Sequence, residues 1–194
     1  MFVLPLYEKL LTQMELISID NKNYPDYKDQ LLQLYLNSFS SGLSAQSLDP
    51  KAIGQYLDSL LAGGYGIVVL EEEKVFGALL ATPLSFDELI PDKINQNFLI
   101  EDCVYIAEMM VTENARGKGL GKQMLLEFIQ TVDKKRFKHV FIRVWVENIP
   151  AISLYRSMGY QDYAYIDQRK TKPNSNETFV MHKVYLYRNL SQDA

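Results

Sequence analysis

The amino-acid sequence predicts an α/β protein in which helices pack on a mixed β-sheet. Short apolar runs rich in β-branched and aromatic residues predict strands, and apolar residues at helical spacing between them predict helices. The predicted order is βααβββαβαββ, and this alternation favours a layered architecture. At 194 residues, the chain has the size of one domain, so we expect a single domain over 1–194.

The first half of the chain predicts three strands and two helices after an extension. Residues 1–14 are expected to form a short helical extension, because Leu6, Leu10 and Leu11 would share one face. A strand at 15–19 is followed by a turn that starts a helix ending near Phe39. The remaining predicted elements are a helix over 53–61, which two glycines terminate, and strands at 66–70 and 75–81, which an acidic turn joins as a hairpin.

The second half of the chain predicts four more strands and two more helices. An acidic connection at 84–102 leads to an apolar strand that ends at Val111. Helical spacing resumes with Leu120, and a second helix contains Tyr155. The other predicted strands lie at 139–146, about 162–168 and about 178–187.

Composition and charge narrow the classes of function. The net charge of −4 argues against a nucleic-acid partner, because binding phosphate backbones needs a basic surface. A single cysteine, Cys103, forms no internal disulfide, which favours a reducing cytoplasm. The N-terminus lacks the basic region of a signal peptide, and no apolar run approaches the roughly 20 residues that span a bilayer. We therefore expect a cytoplasmic protein that acts without a membrane.

The most informative stretch is 104–121, where a strand leads through a glycine-rich loop into a helix. A helix N-terminus presents unpaired N–H groups and a positive dipole end, which suit a phosphate. Cations at a helix start oppose the dipole, so Arg116, Lys118 and Lys122 indicate a bound anion. A glycine-rich turn without a ligand is the alternative.

Two common phosphate motifs do not fit this loop. A P-loop requires GxxxxGK[ST], but the residue five positions before Gly121 is Arg116. A dinucleotide-binding GxGxxG would need a glycine at position 122, which is Lys122.

What remains is Arg116-x-x-Gly-x-Gly between a strand and a helix, which resembles the acetyl-CoA pyrophosphate loop of the GNAT N-acetyltransferase superfamily. The stretch 148–160, Asn-Ile-Pro-Ala-Ile-Ser-Leu-Tyr-Arg-Ser-Met-Gly-Tyr, resembles the second signature of that family. The resemblance implies the GNAT fold, a mixed and mostly antiparallel sheet whose splayed central strands bind acetyl-CoA. It implies acetyl-CoA as cosubstrate and leaves a homodimer open. The sequence contains no metal-ligand spacing, so no metal is expected.

The resemblance also implies a set of residues that bind acetyl-CoA. In the family, the backbone of the central strand pairs with the pantetheine arm, and the loop amides surround the pyrophosphate. Matched residue by residue, the set is Met109, Met110 and Val111 of the strand, Arg116, Gly117, Lys118, Gly119, Leu120, Gly121 and Lys122 of the loop, and Asn148 and Tyr155 of the second signature. Asn148 equally fits the N-cap of its helix, because Pro150 follows in the first turn.

Tyr155 matches the tyrosine that protonates the departing coenzyme A thiolate in many members of the family. Its phenol could donate a hydrogen bond or a proton to that sulfur. The alternative is a tyrosine that only packs its helix against the sheet.

Glu108 is the candidate general base or substrate anchor. It interrupts an apolar strand, and strict alternation would place it on the side of Val104, Ile106 and Met110. Related polyamine and aminoglycoside acetyltransferases carry acidic residues at or beside this position. A paired structural charge is the alternative, and Glu101, Asp102 and Glu147 are rival bases.

Two other sequence features bear on the choice of base. Arg143 stands where ribosomal-protein N-terminal acetyltransferases carry a glutamate, which weakens a transfer of their base to this chain. Cys103 is expected to be structural, because no pattern of histidine or aspartate would activate it as a nucleophile. His139 and His182 are also expected to be structural, because both sit in strand-like runs.

The predicted function is transfer of an acetyl group from acetyl-CoA directly to a primary amine of a cationic small molecule. The cationic acceptor follows from the connection 84–102, which carries five carboxylates against Lys93 and lies where the family builds its acceptor wall. A solvated loop is the alternative for that segment. Two other functions stay open: a protein N-terminal or lysine acetyltransferase, and a coenzyme A-binding regulatory domain without turnover.

Overall fold

The computed structural model describes residues 14–41 and 45–193. In this part of the chain, the strands are β1 (Glu15–Ile19), β2 (Tyr65–Glu71), β3 (Lys74–Pro83), β4 (Cys103–Val111), β5 (His139–Trp145), β6 (Gln161–Thr171) and β7 (Thr178–Asn189). They form one sheet in the order β1-β2-β3-β4-β5-β7-β6. Neighbouring strands are antiparallel except β4 and β5, which are parallel. The predicted mixed, mostly antiparallel sheet is confirmed.

Five α-helices occur among the described residues: α1 (Tyr24–Phe39), α2 (Pro50–Gly63), α3 (Asp92–Asn97), α4 (Leu120–Thr131) and α5 (Ile149–Ser157). Prolines stand in the first turn of α1, α2 and α5, where their fixed φ favours the helix and their missing N–H costs nothing. The short α3 lies within the predicted 84–102 connection. Within the described ranges, no helix is long and apolar enough to cross a membrane. The helical extension predicted at 1–14 lies outside the described residues, apart from Met14.

Both faces of the sheet are covered by helices. Helices α1 and α2 bury Leu31, Leu57 and Leu60 against one face of β1 to β4. Helices α4 and α5 cover the other face, where Met124 and Phe128 are fully buried. Each such side chain contributes about 1.5–3 kcal/mol on leaving water. The strand order places β4 at the centre of the sheet, with three strands on either side.

A β-bulge interrupts β4 at Ala107. In the pairing with β3, Ile106 stands opposite Ala81, while Glu108 stands opposite Leu80, so Ala107 is an extra residue. A bulge of this kind shifts the alternation of side chains by one position.

The bulge decides which face Glu108 occupies. Val104 and Ile106 pack in the cluster beneath α4 and α5. Glu108 contacts α2, and Met110 packs beneath α1 and α2 on the opposite face. The prediction that Glu108 shares a side with Val104 and Ile106 is therefore wrong, because the bulge inverts the alternation. Its predicted position on the side of Met110 is confirmed.

Candidate active site

The central strands β4 and β5 pair over only part of their length. Residues 103–106 of β4 pair with 139–142 of β5, and the pairing stops there. Strand β4 nevertheless continues to Val111, and β5 continues to Trp145. The two strands therefore leave a gap at the centre of the sheet, beginning at the bulge.

The gap opens into a cavity of about 830 Å³. Its walls come from helices α1 and α2, the turn after β3, the separated ends of β4 and β5, strands β6 and β7, and the start of α5. The polar and ionisable residues in these walls include Tyr35, Tyr56, Asp87, Glu88, Glu108, Arg143, Asn148, Tyr155, Lys170 and Lys183. The cavity therefore brings three of the predicted cofactor residues, Met109, Asn148 and Tyr155, together with the predicted base, Glu108, while the predicted loop residues 116–122 lie outside its walls.

The β4 edge of the gap presents backbone groups that no neighbouring strand pairs, although the carbonyl of Val111 accepts a hydrogen bond from Arg116. Thr112 donates its N–H to the carbonyl of Phe76 in β3 at 2.8 Å. Alternation then directs the backbone groups of Met110 toward β3 and those of Met109 and Val111 toward the gap. Among the described residues, no strand pairs with this edge. An extended ligand with amide groups could bond there as an added strand, so this part of the chain fits a pantetheine arm.

The loop before α4 has the geometry of an anion site. Gly117 and Gly119 adopt φ values of 72° and 84°, which favour glycine. Gly119 is the N-cap of α4 and forms no side-chain cap, so the first N–H groups of the helix stay available. Arg116 is exposed, and its Nε donates to the carbonyl of Val111 at 3.2 Å. These features fit a pyrophosphate.

Gly121 allows α4 to approach its neighbours closely. A Cβ at this position would lie 3.0 Å from Leu154 Cδ2 and 3.1 Å from Met109 Cε. The helix start therefore lies beside both β4 and α5. Of the two predicted loop lysines, Lys122 is exposed and Lys118 is half-buried.

Tyr155 is buried in the wall of the cavity, beside Met109. Its hydroxyl lies 3.9 Å from the sulfur of Met109, to which it donates a weak hydrogen bond. Burial, and secondarily the charge of Glu108, raise the pKa of Tyr155 well above its ordinary value. The phenol therefore stays protonated at neutral pH, which is the form that a hydrogen-bond or proton donor needs. Burial also satisfies the packing alternative, and both roles are compatible.

Asn148 forms the N-cap of α5, while its contact with the cofactor stays a prediction. Its side-chain oxygen accepts a hydrogen bond from the N–H of Ala151 at 3.4 Å, which confirms the N-cap of α5. The same side chain lines the cavity.

Glu108 lies in the cavity wall, where Tyr56 Oη donates to its Oε1 at 2.8 Å. Burial raises the pKa of Glu108 to about 7. The hydrogen bond from Tyr56 opposes this shift, as do the charges of Lys183, Arg143 and Lys170. A carboxyl with this pKa exchanges a proton near neutral pH, as a general base must. The sequence did not single out Tyr56, whose contact with Glu108 joins residues 52 positions apart.

Asp87 and Arg143 form a buried ion pair at the floor of the cavity. Arg143 Nη1 lies 2.9 Å from Asp87 Oδ1, and the two side chains are 13% and 4% exposed. Tyr185 Oη accepts from Arg143 at 2.8 Å and donates to Asp87 Oδ2 at 2.8 Å. Arg143 thus holds the turn after β3 against β5 and β7. Asp87 is engaged, so its charge does not stand free for a bound cation.

Lys170 and Lys183 are cavity residues that sequence patterns did not single out. They line the wall formed by β6 and β7. The signal that could have found Lys183 is its alternation with Met181 and Tyr185, which makes it an isolated charge on an otherwise apolar strand face.

The rival bases do not line the cavity. Glu101, Asp102 and Glu147 are absent from its walls, and Glu101 and Glu147 are exposed. Cys103 is fully buried, its thiol donates to the carbonyl of Leu99 at 3.3 Å, and burial raises its pKa to about 12. No cluster of ligands that could hold a metal ion occurs in residues 14–41 and 45–193.

Comparison with known proteins identifies the family. The sequence profile of the acetyltransferase (GNAT) family matches residues 28–160. A stretch of 59 residues is 36% identical to the spermine/spermidine N(1)-acetyltransferase of Bacillus subtilis (strain 168), and it covers 30% of this chain and 39% of that protein. This chain therefore aligns with well under half the length of that relative.

Solved structures show the same fold. The ribosomal-protein-alanine N-acetyltransferase of Brucella melitensis superimposes with a TM-score of 0.64 at 18% identity, over 90% of this chain and 99% of that one. An N-acetyltransferase from Staphylococcus aureus Mu50 gives 0.67 at 13% identity, over 91% and 98%. The protein yncA from Salmonella typhimurium, solved with its cofactor acetyl-CoA, gives 0.62 at 16% identity, over 91% and 94%.

Proposed function

This chain belongs to the acetyltransferase (GNAT) family, and we propose that it transfers the acetyl group of acetyl-CoA to a primary amine of a small molecule. The observation that carries this proposal is the cavity at the β4–β5 gap, whose walls include both Tyr155 and Glu108. A group that can donate a proton and a group that can accept one therefore line the same cavity.

The residues that would hold acetyl-CoA are among those predicted from the sequence, without Met110, whose backbone groups point toward β3. The amides at the start of α4, with Gly117, Gly119 and Arg116, would bind its pyrophosphate. The backbone of Met109 and Val111 would bond its pantetheine arm along the open edge of β4. Acetyl-CoA supplies a thioester, whose C–S bond is exchanged for a C–N bond to the amine.

The residues of the chain would manage the protons of this exchange. An alkylammonium must lose a proton before it attacks, which costs about 4.6 kcal/mol near pH 7. Glu108, with a pKa of about 7, would accept that proton directly or through a water. Tyr155 would donate a hydrogen bond or proton to the leaving sulfur.

The acceptor would enter with its amine in the cationic form. Glu108 faces the cavity, and Glu88, which is exposed, stands at its rim. The name of the Bacillus subtilis relative refers to spermine and spermidine, which are small molecules with primary amines, and it supports an acceptor of that size. Ser47, shortly before α2, donates its N–H to the carbonyl of Thr171 in β6 at 2.8 Å. Because the neighbouring Gln46 and Lys170 line the cavity, this contact narrows it on that side, which favours a small molecule over a protein segment.

Release of coenzyme A thiol from acetyl-CoA tests the proposal in a panel of small amines, polyamines and peptides with a free terminal or lysine amine. We expect amine-dependent release with small molecules and none above background with the peptides. Acetyl-CoA without an amine is the control for hydrolysis. Release with peptides alone would identify a protein acetyltransferase. Tight binding of acetyl-CoA with no release for any amine would identify a binding domain.

A further inference from the structure

The wall of the cavity formed by β6 and β7 carries two cations on one face. In the pairing of these strands, Lys183 stands opposite Ile166, and Lys170 stands opposite Phe179. Residues 166 and 170 are separated by an even number of positions, so both lysines point to the same side of the sheet. Both line the cavity that also contains Glu108.

Neither ammonium group has a partner among the described residues. Within residues 14–41 and 45–193, no hydrogen bond or ion pair joins the ammonium group of Lys170 or Lys183 to another side chain or to a backbone carbonyl. The third cation of the cavity, Arg143, is already engaged with Asp87. Glu108 is hydrogen-bonded by Tyr56 and interacts with the two lysines only at longer range.

Two half-buried like charges without a hydrogen-bonded counterion are unfavourable. The pKa values of the lysines reflect this: burial, followed by the charges of Arg143 and Lys170, lowers the pKa of Lys183 to about 8. Burial also lowers the pKa of Lys170, against the attraction of Glu108. An anion bound between the two ammonium groups would remove the repulsion and supply the missing hydrogen-bond acceptors.

We propose that the acceptor carries a carboxylate as well as its amine, and that Lys170 and Lys183 bind this carboxylate while the amine faces Glu108. The inference rests on the proposed function and specifies its substrate class as an amino acid or a similar amino carboxylate. A polyamine fits this cavity poorly, because its second ammonium group would lie against the two lysines. The anion site thus selects by charge among amines that the catalytic residues would otherwise treat alike.

The test uses three series of primary amines of matched chain length that end in a carboxylate, a carboxamide or a second amine. Turnover with acetyl-CoA is measured as kcat/KM for each. The wild-type protein is expected to prefer the best carboxylate over its carboxamide by at least about tenfold, equivalent to about 1.4 kcal/mol. The diamine of the same length is expected to be the poorest acceptor.

Variants locate the preference in the two lysines. Lys170→Gln and Lys183→Gln are each expected to reduce it, and the double variant is expected to abolish it, mainly through KM of the carboxylate. Arg169→Gln is the matched control, because Arg169 is exposed on the opposite face of β6, next to Lys170. It is expected to retain the preference.

The possible results distinguish a failure of the carboxylate site from a failure of the proposed acetyltransferase activity. If carboxamides or diamines match the carboxylates in the wild-type protein, or if the preference survives in the double variant, the carboxylate site is wrong while the acetyltransferase stands. The wild-type comparison depends on no substitution. Absence of turnover with every amine overturns both proposals.

Discussion

Glu108 is the residue on which the proposed chemistry depends most. Its carboxyl has a pKa raised to about 7 by burial, against the opposing effects of Tyr56 and of the cations Lys183, Arg143 and Lys170. Below that pH the carboxyl is protonated and accepts no further proton. We therefore expect kcat to rise with pH through about 7, as Glu108 ionises.

Substitution separates Glu108 from other groups that ionise near neutral pH. Glu108→Gln should lower kcat by about a hundredfold and remove the rise near pH 7. Glu101→Gln removes a carboxyl outside the cavity and should keep both the rate and the rise. A pH profile of Glu108→Gln that still rises near 7 would assign the base elsewhere.

Tyr155 is buried, and its hydroxyl can be removed by substitution with phenylalanine without loss of the aromatic ring. Tyr155→Phe keeps the ring that packs beside Tyr160 and removes only the donor. We expect kcat to fall by about a hundredfold, with little change in the Kd of acetyl-CoA measured by calorimetry. Equal turnover in the two proteins would leave Tyr155 with a packing role alone.

At the scale of elements, the start of α4 combines a backbone requirement with a binding role. A side chain at Gly119, whose φ is 84°, should cost about 1–2 kcal/mol. We expect Gly119→Ala to lower the melting temperature and to weaken acetyl-CoA binding by about tenfold, because the helix start must shift. The measurements are thermal unfolding and calorimetric titration.

Gly54 provides the matched control within a helix interior. It lies in α2, where an added methyl group would meet no atom within 4 Å, and its φ is not positive. Gly54→Ala should therefore stabilise the protein by about 0.5–1 kcal/mol and leave the Kd of acetyl-CoA unchanged. A Gly119→Ala protein that loses stability but binds acetyl-CoA normally would separate this loop from the cofactor.

The bulge in β4 shows what element-level patterns leave open. Strict alternation of side chains along β4 predicted that Ile106 and Glu108 lie on the same face of the sheet. Because Ala107 is an extra residue in the strand, the two side chains lie on opposite faces. Apolar residues occupy the strand on both sides of the bulge, because helices cover both faces of the sheet. The strand was therefore predictable from its composition, whereas the position of the bulge was not.

At the scale of the whole molecule, local patterns predicted the order of the strands and of the longer helices but not the short α3, and contacts between distant residues were not predictable. The strand from Glu15 to Ile19 and the helix that holds Tyr155 follow from short-range periodicity. The pairing of Asp87 with Arg143, 56 positions away, depends on how the sheet assembles. For that reason the acidic connection suggested a cation site where the structure has an internal ion pair.

The cavity also depends on the whole molecule, because residues from several helices and strands form its walls. Its walls bring Glu108 from β4, Tyr155 from α5 and two lysines from β6 and β7 to one chamber. The signatures at 104–121 and 148–160 predicted the cofactor side, because they are contiguous. The lysines lie on the β6–β7 hairpin, which reaches the cavity only through the pairing of β7 with the distant strand β5.

Mass spectrometry of the products formed from acetyl-CoA labelled in its acetyl group tests the central claim most directly. Incubated with the amine panel, the protein should give a labelled amide and an equal amount of free coenzyme A, while its own mass stays unchanged, as direct transfer requires. Acetyl-CoA that binds to the protein but yields no labelled amide with any amine would contradict the account.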